Sequence, residues 1–179
     1  MAIETAHLQL VPFSPEALLG LIEGVGQFEA RSGLRAADGL REFFVSDAVS
    51  PDWLAQLRAS TGPDPWLHGF AVVDREDRSV IGSAGFAGPP DDSGTVEIAY
   101  GIVPSRQGRG LATEAARALI AFASASARVR RIRAHTLPEA NASTRVLEKC
   151  GFERIGEIVD PRDGTIWRWA PSSASGITF

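Results

Sequence analysis

The 179-residue sequence contains one cysteine, one methionine, one tyrosine and one lysine. A lone cysteine, Cys150, excludes an internal disulfide framework and any metal site built from several thiolates. No stretch of about 18 consecutive apolar residues occurs, so no membrane-spanning helix is expected. The opening MAIETAHLQL lacks the basic-then-apolar pattern of a secretory leader. Positive charge is not in excess either: 18 basic residues face 22 acidic ones, a net charge of -4. That balance argues against constitutive binding of nucleic acid or of an anionic membrane. The expectation is a soluble, cytoplasmic protein. Lys149 is the single lysine, so almost every base is arginine, which with the abundant alanine reads as the codon bias of a GC-rich genome. Arginine abundance therefore carries no functional weight by itself.

What is present is an ordinary globular composition, 44% hydrophobic and 22% charged. The length suits one domain with a self-sufficient core. No repeat and no linker divides it, so residues 1–171 read as a single domain and 172–179 as a loose, Ser-rich tail. Residues 6–12 alternate as a strand, and Ser14-Pro15-Glu16 opens a helix to about Val25. Residues 26–49 show no clean period. Ser50-Pro51-Asp52 starts another helix. Residues 67–74 and 79–87 read as a hairpin about the charged turn 74–78, and 95–103 as a further strand. A helix follows from Leu111 to about Ala127, then a strand near 131–136. Asn141 or Ser143 caps a helix that ends before Gly151, and 152–159 with 164–170 form a closing hairpin. This order predicts an α/β mixed fold: a mostly antiparallel central sheet of about seven strands with helices on both faces.

The most informative stretch is VEIAYGIVPSRQGRGLATEAAR at 96–117. A strand enters a turn holding Gly108 and Gly110, and a helix begins at once. Unpaired amides and the helix dipole favour an anion at such a start, and glycines let it approach the backbone closely. The physical reading is a pyrophosphate cradle, with Arg106 and Arg109 beside it. A P-loop fits poorly because Leu111-Ala112 follow the second glycine, and a dinucleotide fingerprint fits poorly because Thr113 replaces its third small residue. A plain glycine turn is the alternative on spacing alone.

Gln107-Gly108-Arg109-Gly110-Leu111-Ala112 resembles the Gln/Arg-x-x-Gly-x-Gly/Ala signature of the GNAT superfamily of N-acetyltransferases. EIAYGIVPSRQGRGLATEAARALIAFA and, downstream, ASTRVLEKCGFERIGE at 142–157 resemble the branch that includes ribosomal-protein N-terminal acetyltransferases. The resemblance implies an acetyl-CoA-dependent N-acetyltransferase that takes acetyl-CoA as cosubstrate, needs no metal and acts on a primary amine such as a protein N-terminus or a small molecule. It implies that Gln107, Gly108, Arg109, Gly110, Leu111, Ala112 and Thr113 form the cofactor loop, with the 108–112 amides on the pyrophosphate. It further implies that the backbone of Ile102 and Val103 pairs with pantetheine like an added strand, one amide polarising the thioester carbonyl. Asn141 resembles a pantetheine-contacting asparagine, although it lies two residues before Ser143 rather than three. A homodimer is compatible with this reading. A CoA-binding sensor or interaction module without catalysis is the alternative, and a protein seating another pyrophosphate on the same loop is a third.

Two side chains are candidates for proton work. Glu97, mid-strand just before the cradle, is either a general base for the amine or a group that binds a cationic acceptor. Ser143 matches a serine that can donate to the departing thiolate in that family branch, or it is simply a helix cap. Tyr100, the single tyrosine, falls in the wrong segment for the family's usual donor. Arg128, Arg130, Arg131 and Arg133 read as a solvated basic run at a helix end, or as partners for the 3′-phosphate of CoA. The histidines are scattered, with His135 closest to the second motif. Trp53, Trp66, Trp167 and Trp169 read as core. Residues 26–62 are expected to wall the acceptor site.

Overall fold

The computed structural model describes residues 1–45 and 49–178. Its elements are β1 (Ile3–Glu4), β2 (Leu8–Pro12), α1 (Pro15–Glu23), α2 (Val25–Ser32), β3 (Arg35–Ala36), α3 (Leu40–Phe44), α4 (Pro51–Ala59) and α5 (Pro65–His68). They continue as β4 (Phe70–Asp74), β5 (Ser79–Phe86), β6 (Thr95–Ile102), α6 (Leu111–Ser124), β7 (Arg131–Thr136), α7 (Ala142–Lys149), β8 (Phe152–Asp160) and β9 (Gly164–Pro171). One sheet runs in the order β1-β2-β4-β5-β6-β7-β9-β8, with β3 beside β5. The pairs β6–β7 and β3–β5 are parallel and the others antiparallel. A mixed, mostly antiparallel sheet is what the element order implies, and the two-residue strands β1 and β3 raise its strand number above the expected seven.

Local chemistry sets the helix starts. The Ser14 hydroxyl accepts from the Ala17 amide and the Ser50 hydroxyl from the Trp53 amide, each with proline next in the chain. The first strand of the expected hairpin begins later than residue 67. Asp64 accepts from the Trp66 amide and Pro65 occupies the first helical position, so 65–68 coil into α5 and the strand starts at Phe70. The featureless stretch 26–49 holds α2, β3 and α3, elements too short to show a period; positions 46–48 lie outside the described residues. The helix expected to reach Ala127 stops at Ser124, which places Arg131 and Arg133 on β7 and not at a helix end.

The core is continuous from Leu8 to Trp169. Phe86 stands opposite Ile98 across β5 and β6, and its ring lies 6.0 Å from that of Phe122 on α6. Even-numbered residues of β6 therefore face α6, while Glu97, Ala99 and Gly101 face the other way. Within the Ser-rich tail the Ser172 amide donates to the Gly151 carbonyl, and Ser175 packs where a Gly151 Cβ would stand. No helix among the described residues is long and apolar enough to cross a membrane.

Candidate active site

The site follows from a split in the sheet. β6 and β7 pair only at Thr95–Arg131, Val96–Ile132 and Glu97–Arg133, yet β6 stays paired with β5 as far as Ile102. From Ile98 onward, no strand among the described residues pairs with the β7 side of β6. The Glu97 carbonyl accepts from Ala87 and the Val103 amide donates to Ile81, so odd-numbered residues use their backbone groups toward β5. Alternation then points the amides and carbonyls of Tyr100 and Ile102 into the gap. A cleft of about 370 Å³ opens there, bounded by Tyr100, Gly101, Ile102, the 106–113 turn, Phe43 and α7.

At one end of the cleft, Gly108 and Gly110 hold φ of 76° and 77°. Side chains rarely adopt that conformation, and no atom lies within 4 Å of where a Cβ would point at either glycine. Among the described residues no side chain caps α6, which leaves its first amides open to an anion. The Gln107 side-chain amide donates to the Ile102 carbonyl at 2.8 Å and ties the turn to the strand edge. Arg109 is exposed and only 3.9 Å from Glu76, free to swing toward a phosphate. Arg106 has a different occupation. Its guanidinium bonds Asp74 at 2.8 Å and also Asp77, pinning the turn to the β4–β5 hairpin. Hydrogen bonds from Arg106 and Ser79 hold the Asp77 carboxyl well below the usual carboxylate range.

A depressed carboxylate pKa stabilises the fold above the group's ordinary value near 3.9, and that stabilisation is lost as pH falls through the depressed value. Arg106→Ala is therefore expected to lower Tm at pH 6 and to weaken acetyl-CoA binding about tenfold, equivalent to ~1.4 kcal/mol. The Tm gap should narrow below pH 4. Thermal melts across pH, with calorimetric titration of the cofactor, measure both; equal affinities would show that the turn needs no such anchor.

The remaining expected residues divide. Leu111, Ala112 and Thr113 line the cleft on α6, and Ser143 lines it on α7. Ser143 is not the cap. Asn141 caps α7, its side-chain oxygen accepting from the Thr144 amide at 3.0 Å while Thr144 bonds back in a capping box. Among the described residues the cleft lining includes Ala142 and Ser143 but not Asn141, whose side-chain oxygen serves the cap. Val103 is a correction: its amide donates to Ile81 and its carbonyl accepts from Arg106, so of this pair it is Ile102 whose amide faces the gap, beside that of Tyr100. Glu97 lies on the opposite face, 28% exposed, with Oε1 2.7 Å from His135 Nδ1 and Oε2 3.8 Å from Arg133 Nε.

Tyr100 is what motif spacing missed. As an even-numbered residue it points to α7, and its hydroxyl donates to the Ser143 carbonyl at 3.3 Å. Burial pushes its pKa up to about 12. Strand alternation beside the split is the signal that finds it. Of the other histidines, His7 bonds Glu114, and His68 sits buried between the Asp64 amide and Ser60, where burial lowers its pKa. Trp53 is partly buried against the core and Trp66 stacks on Phe86 and Phe122, whereas Trp167 carries Arg154 over its ring at 4.3 Å.

A split mixed sheet with an uncapped helix beside the gap defines a protein of the acetyltransferase class. Residues 8–153 match the acetyltransferase (GNAT) domain, and the chain belongs to that family. An uncharacterized N-acetyltransferase of Bacillus subtilis, YjdG, is 31% identical over 111 residues, which are 62% of this chain and 64% of that protein. The match thus spans less than two thirds of the relative's length. The structure of RimL, a ribosomal L7/L12 alpha-N-protein acetyltransferase in complex with coenzyme A, superposes with TM-score 0.67 at 15% identity. It covers 98% of this chain and 99% of that one. A ribosomal-protein-S5-alanine acetyltransferase from Vibrio fischeri gives TM-score 0.66 at 18% identity, covering 97% of each chain. These likenesses establish the fold.

Proposed function

We propose that the protein transfers the acetyl group of acetyl-CoA to a primary amine by direct attack in a ternary complex. The observation that carries this reading is one cleft joining an uncapped helix start to an unpaired strand edge. The amides from Gly108 to Ala112 suit the pyrophosphate, with Arg109 adding charge. The edge groups of Tyr100 and Ile102 suit the amide-bearing pantetheine arm, which lies in the split as a strand would. The Ile102 amide is the donor for the carbonyl oxygen as it becomes an oxyanion, an interaction of about 3–4 kcal/mol in acyl-transfer sites.

The amine nitrogen forms a bond to the acetyl carbon and the carbon–sulfur bond breaks. The amine's proton passes to Glu97. Glu97 precedes Gly101 by four residues, roughly 13 Å at ~3.4 Å per residue, so the proton travels through water. The CoA thiolate departs toward Tyr100 and Ser143. With a pKa near 12, Tyr100 stays protonated beside a thiol of pKa about 8.5, so it stabilises the thiolate as a hydrogen-bond donor. Tyr100→Phe is expected to lower kcat about tenfold, or ~1.4 kcal/mol, while acetyl-CoA affinity holds. Steady-state kinetics beside calorimetry reads this, and an unchanged kcat would assign the role to Ser143.

The test of the function is calorimetric titration with acetyl-CoA, followed by thiol release against a panel of amines, with ATP and NAD as controls. Micromolar binding confined to CoA species together with turnover supports the reading. Binding without turnover on any amine would make the protein a CoA-binding module.

A further inference from the structure

On the face of the sheet turned away from α6, β7 carries Arg131, Arg133 and His135, and β9 sets Arg168 directly opposite His135. The three arginines border a groove of about 560 Å³ whose polar lining is Thr95, Arg131, Arg133, Arg168, Ser172 and Ser173. Among the described residues no carboxylate lines it. Arg131 and Arg168 have no carboxylate within ion-pairing distance among the described residues, and Arg133 has only Glu97 at 3.8 Å. Among the described residues the Nε atoms of Arg133 and Arg168 and Nε2 of His135 are buried with no hydrogen-bond partner. A buried guanidinium N–H is costly to leave unmatched. Three guanidiniums gathered in a protein of net charge -4 are a local feature that the overall charge does not explain.

Register fixes where the groove lies relative to the chemistry. Arg133 stands level with Glu97 and Arg131 level with Thr95. At ~3.4 Å per residue, these levels are roughly 13 and 20 Å from Gly101, which lines the cleft together with Phe43. A small amine seated at the cleft is too short to touch them, whereas the fourth to sixth residues of an extended peptide stand roughly 10–17 Å along, within side-chain reach of Arg133 and Arg131. Ala99 is exposed between the two ends and leaves that path open.

Resting on the acetyltransferase reading above, we propose that the acceptor is a peptide N-terminus followed, near its fourth to sixth residues, by carboxylate side chains that this arginine groove binds. Charge complementarity selects the occupant, since guanidinium forks match carboxylates in geometry as well as sign. An α-amine has a pKa of about 7.7–8.0, so a useful fraction is already neutral near pH 7, unlike a lysine side chain near 10.4.

The test compares two hexapeptides with free N-termini and C-terminal fluorophores, Ala-Gly-Gly-Asp-Glu-Asp and its neutral match Ala-Gly-Gly-Asn-Gln-Asn. Fluorescence polarisation measures their binding without cofactor, and thiol release measures their acetylation. The acidic peptide is expected to bind at least tenfold tighter and to show at least tenfold higher kcat/KM, through KM, with the advantage shrinking in 0.5 M salt. Arg131→Glu with Arg168→Glu should erase the preference. Equal binding of the two peptides by the wild-type protein, or a preference that survives both substitutions, overturns the groove. Acetyl-CoA affinity, measured on the same samples, separates the two claims. Intact cofactor binding with no acidic preference removes only the groove, while absent cofactor binding removes the acetyltransferase reading whatever the peptides do.

Discussion

Glu97→Gln is expected to cut kcat by two to three orders of magnitude while leaving acetyl-CoA affinity within twofold. General-base contributions typically run 10²–10⁴-fold, and the distance of Glu97 from the cleft, bridged by water, favours the lower part of that range. Glutamine preserves the size of the side chain and a hydrogen bond to His135, so packing between β6 and β7 is kept while the proton acceptor is lost. A base also leaves a signature in pH: the acid limb of the kcat/KM profile should flatten in the variant. Stopped-time assays from pH 5.5 to 9 with a fixed amine, and calorimetry for the cofactor, supply both readouts. Wild-type rates across pH would reduce Glu97 to a partner of His135 and Arg133 within the sheet.

Gly82→Ala should be the most damaging of the conservative glycine changes. Gly82 pairs with Ile102 across β5 and β6, and an added Cβ would stand 2.0 Å from the carbonyl oxygen of Gly101. Backbone cannot give way as a flexible side chain can, so β6 must shift at the level of the cleft. Overpacking of this kind costs about 1–3 kcal/mol, and at roughly 2–4 °C per kcal/mol the fall in Tm is about 2–12 °C. Because the strand that moves carries the free Ile102 amide, acetyl-CoA affinity should fall with stability. Gly156→Ala is the matched control, with nothing within 4 Å of its added Cβ, and should leave both quantities unchanged. Paired thermal melts and titrations decide it; an unaltered Gly82→Ala cofactor affinity would show that the strand edge plays no part in binding.

Both effects trace to one architectural fact, the divergence of β6 from β7 after Glu97. Up to that residue the two strands hold a polar pair in register, and beyond it an unpaired edge is exposed to a cleft. Arg106 and Gln107 then fix the turn relative to that edge from two directions, one by an ion pair to the β4–β5 hairpin and one by a bond to Ile102. Rigid placement of the donors is what makes an oxyanion site effective, since they need no reorganisation as charge develops.

Much of this was legible in the chain itself because it depends on short-range chemistry. The serine–proline helix starts, the glycines of the cradle, the amphipathic α6 and the strands on either side of it are consequences of spacings within a few residues. The gap in the sheet is another matter. Nothing local to VEIAYGIV says that its even-numbered backbone groups go unpaired, because that depends on where a strand some 35 residues later turns away. For the same reason the partners of Arg106, the surroundings of Tyr100 and the gathering of Arg131, Arg133 and Arg168 were invisible. Val103 shows the converse, a residue whose amide is taken up by Ile81 on a strand from elsewhere in the chain. Hydrogen-bonding capacity is set by residue type, but whether it is left free for a ligand is set by which elements pack alongside.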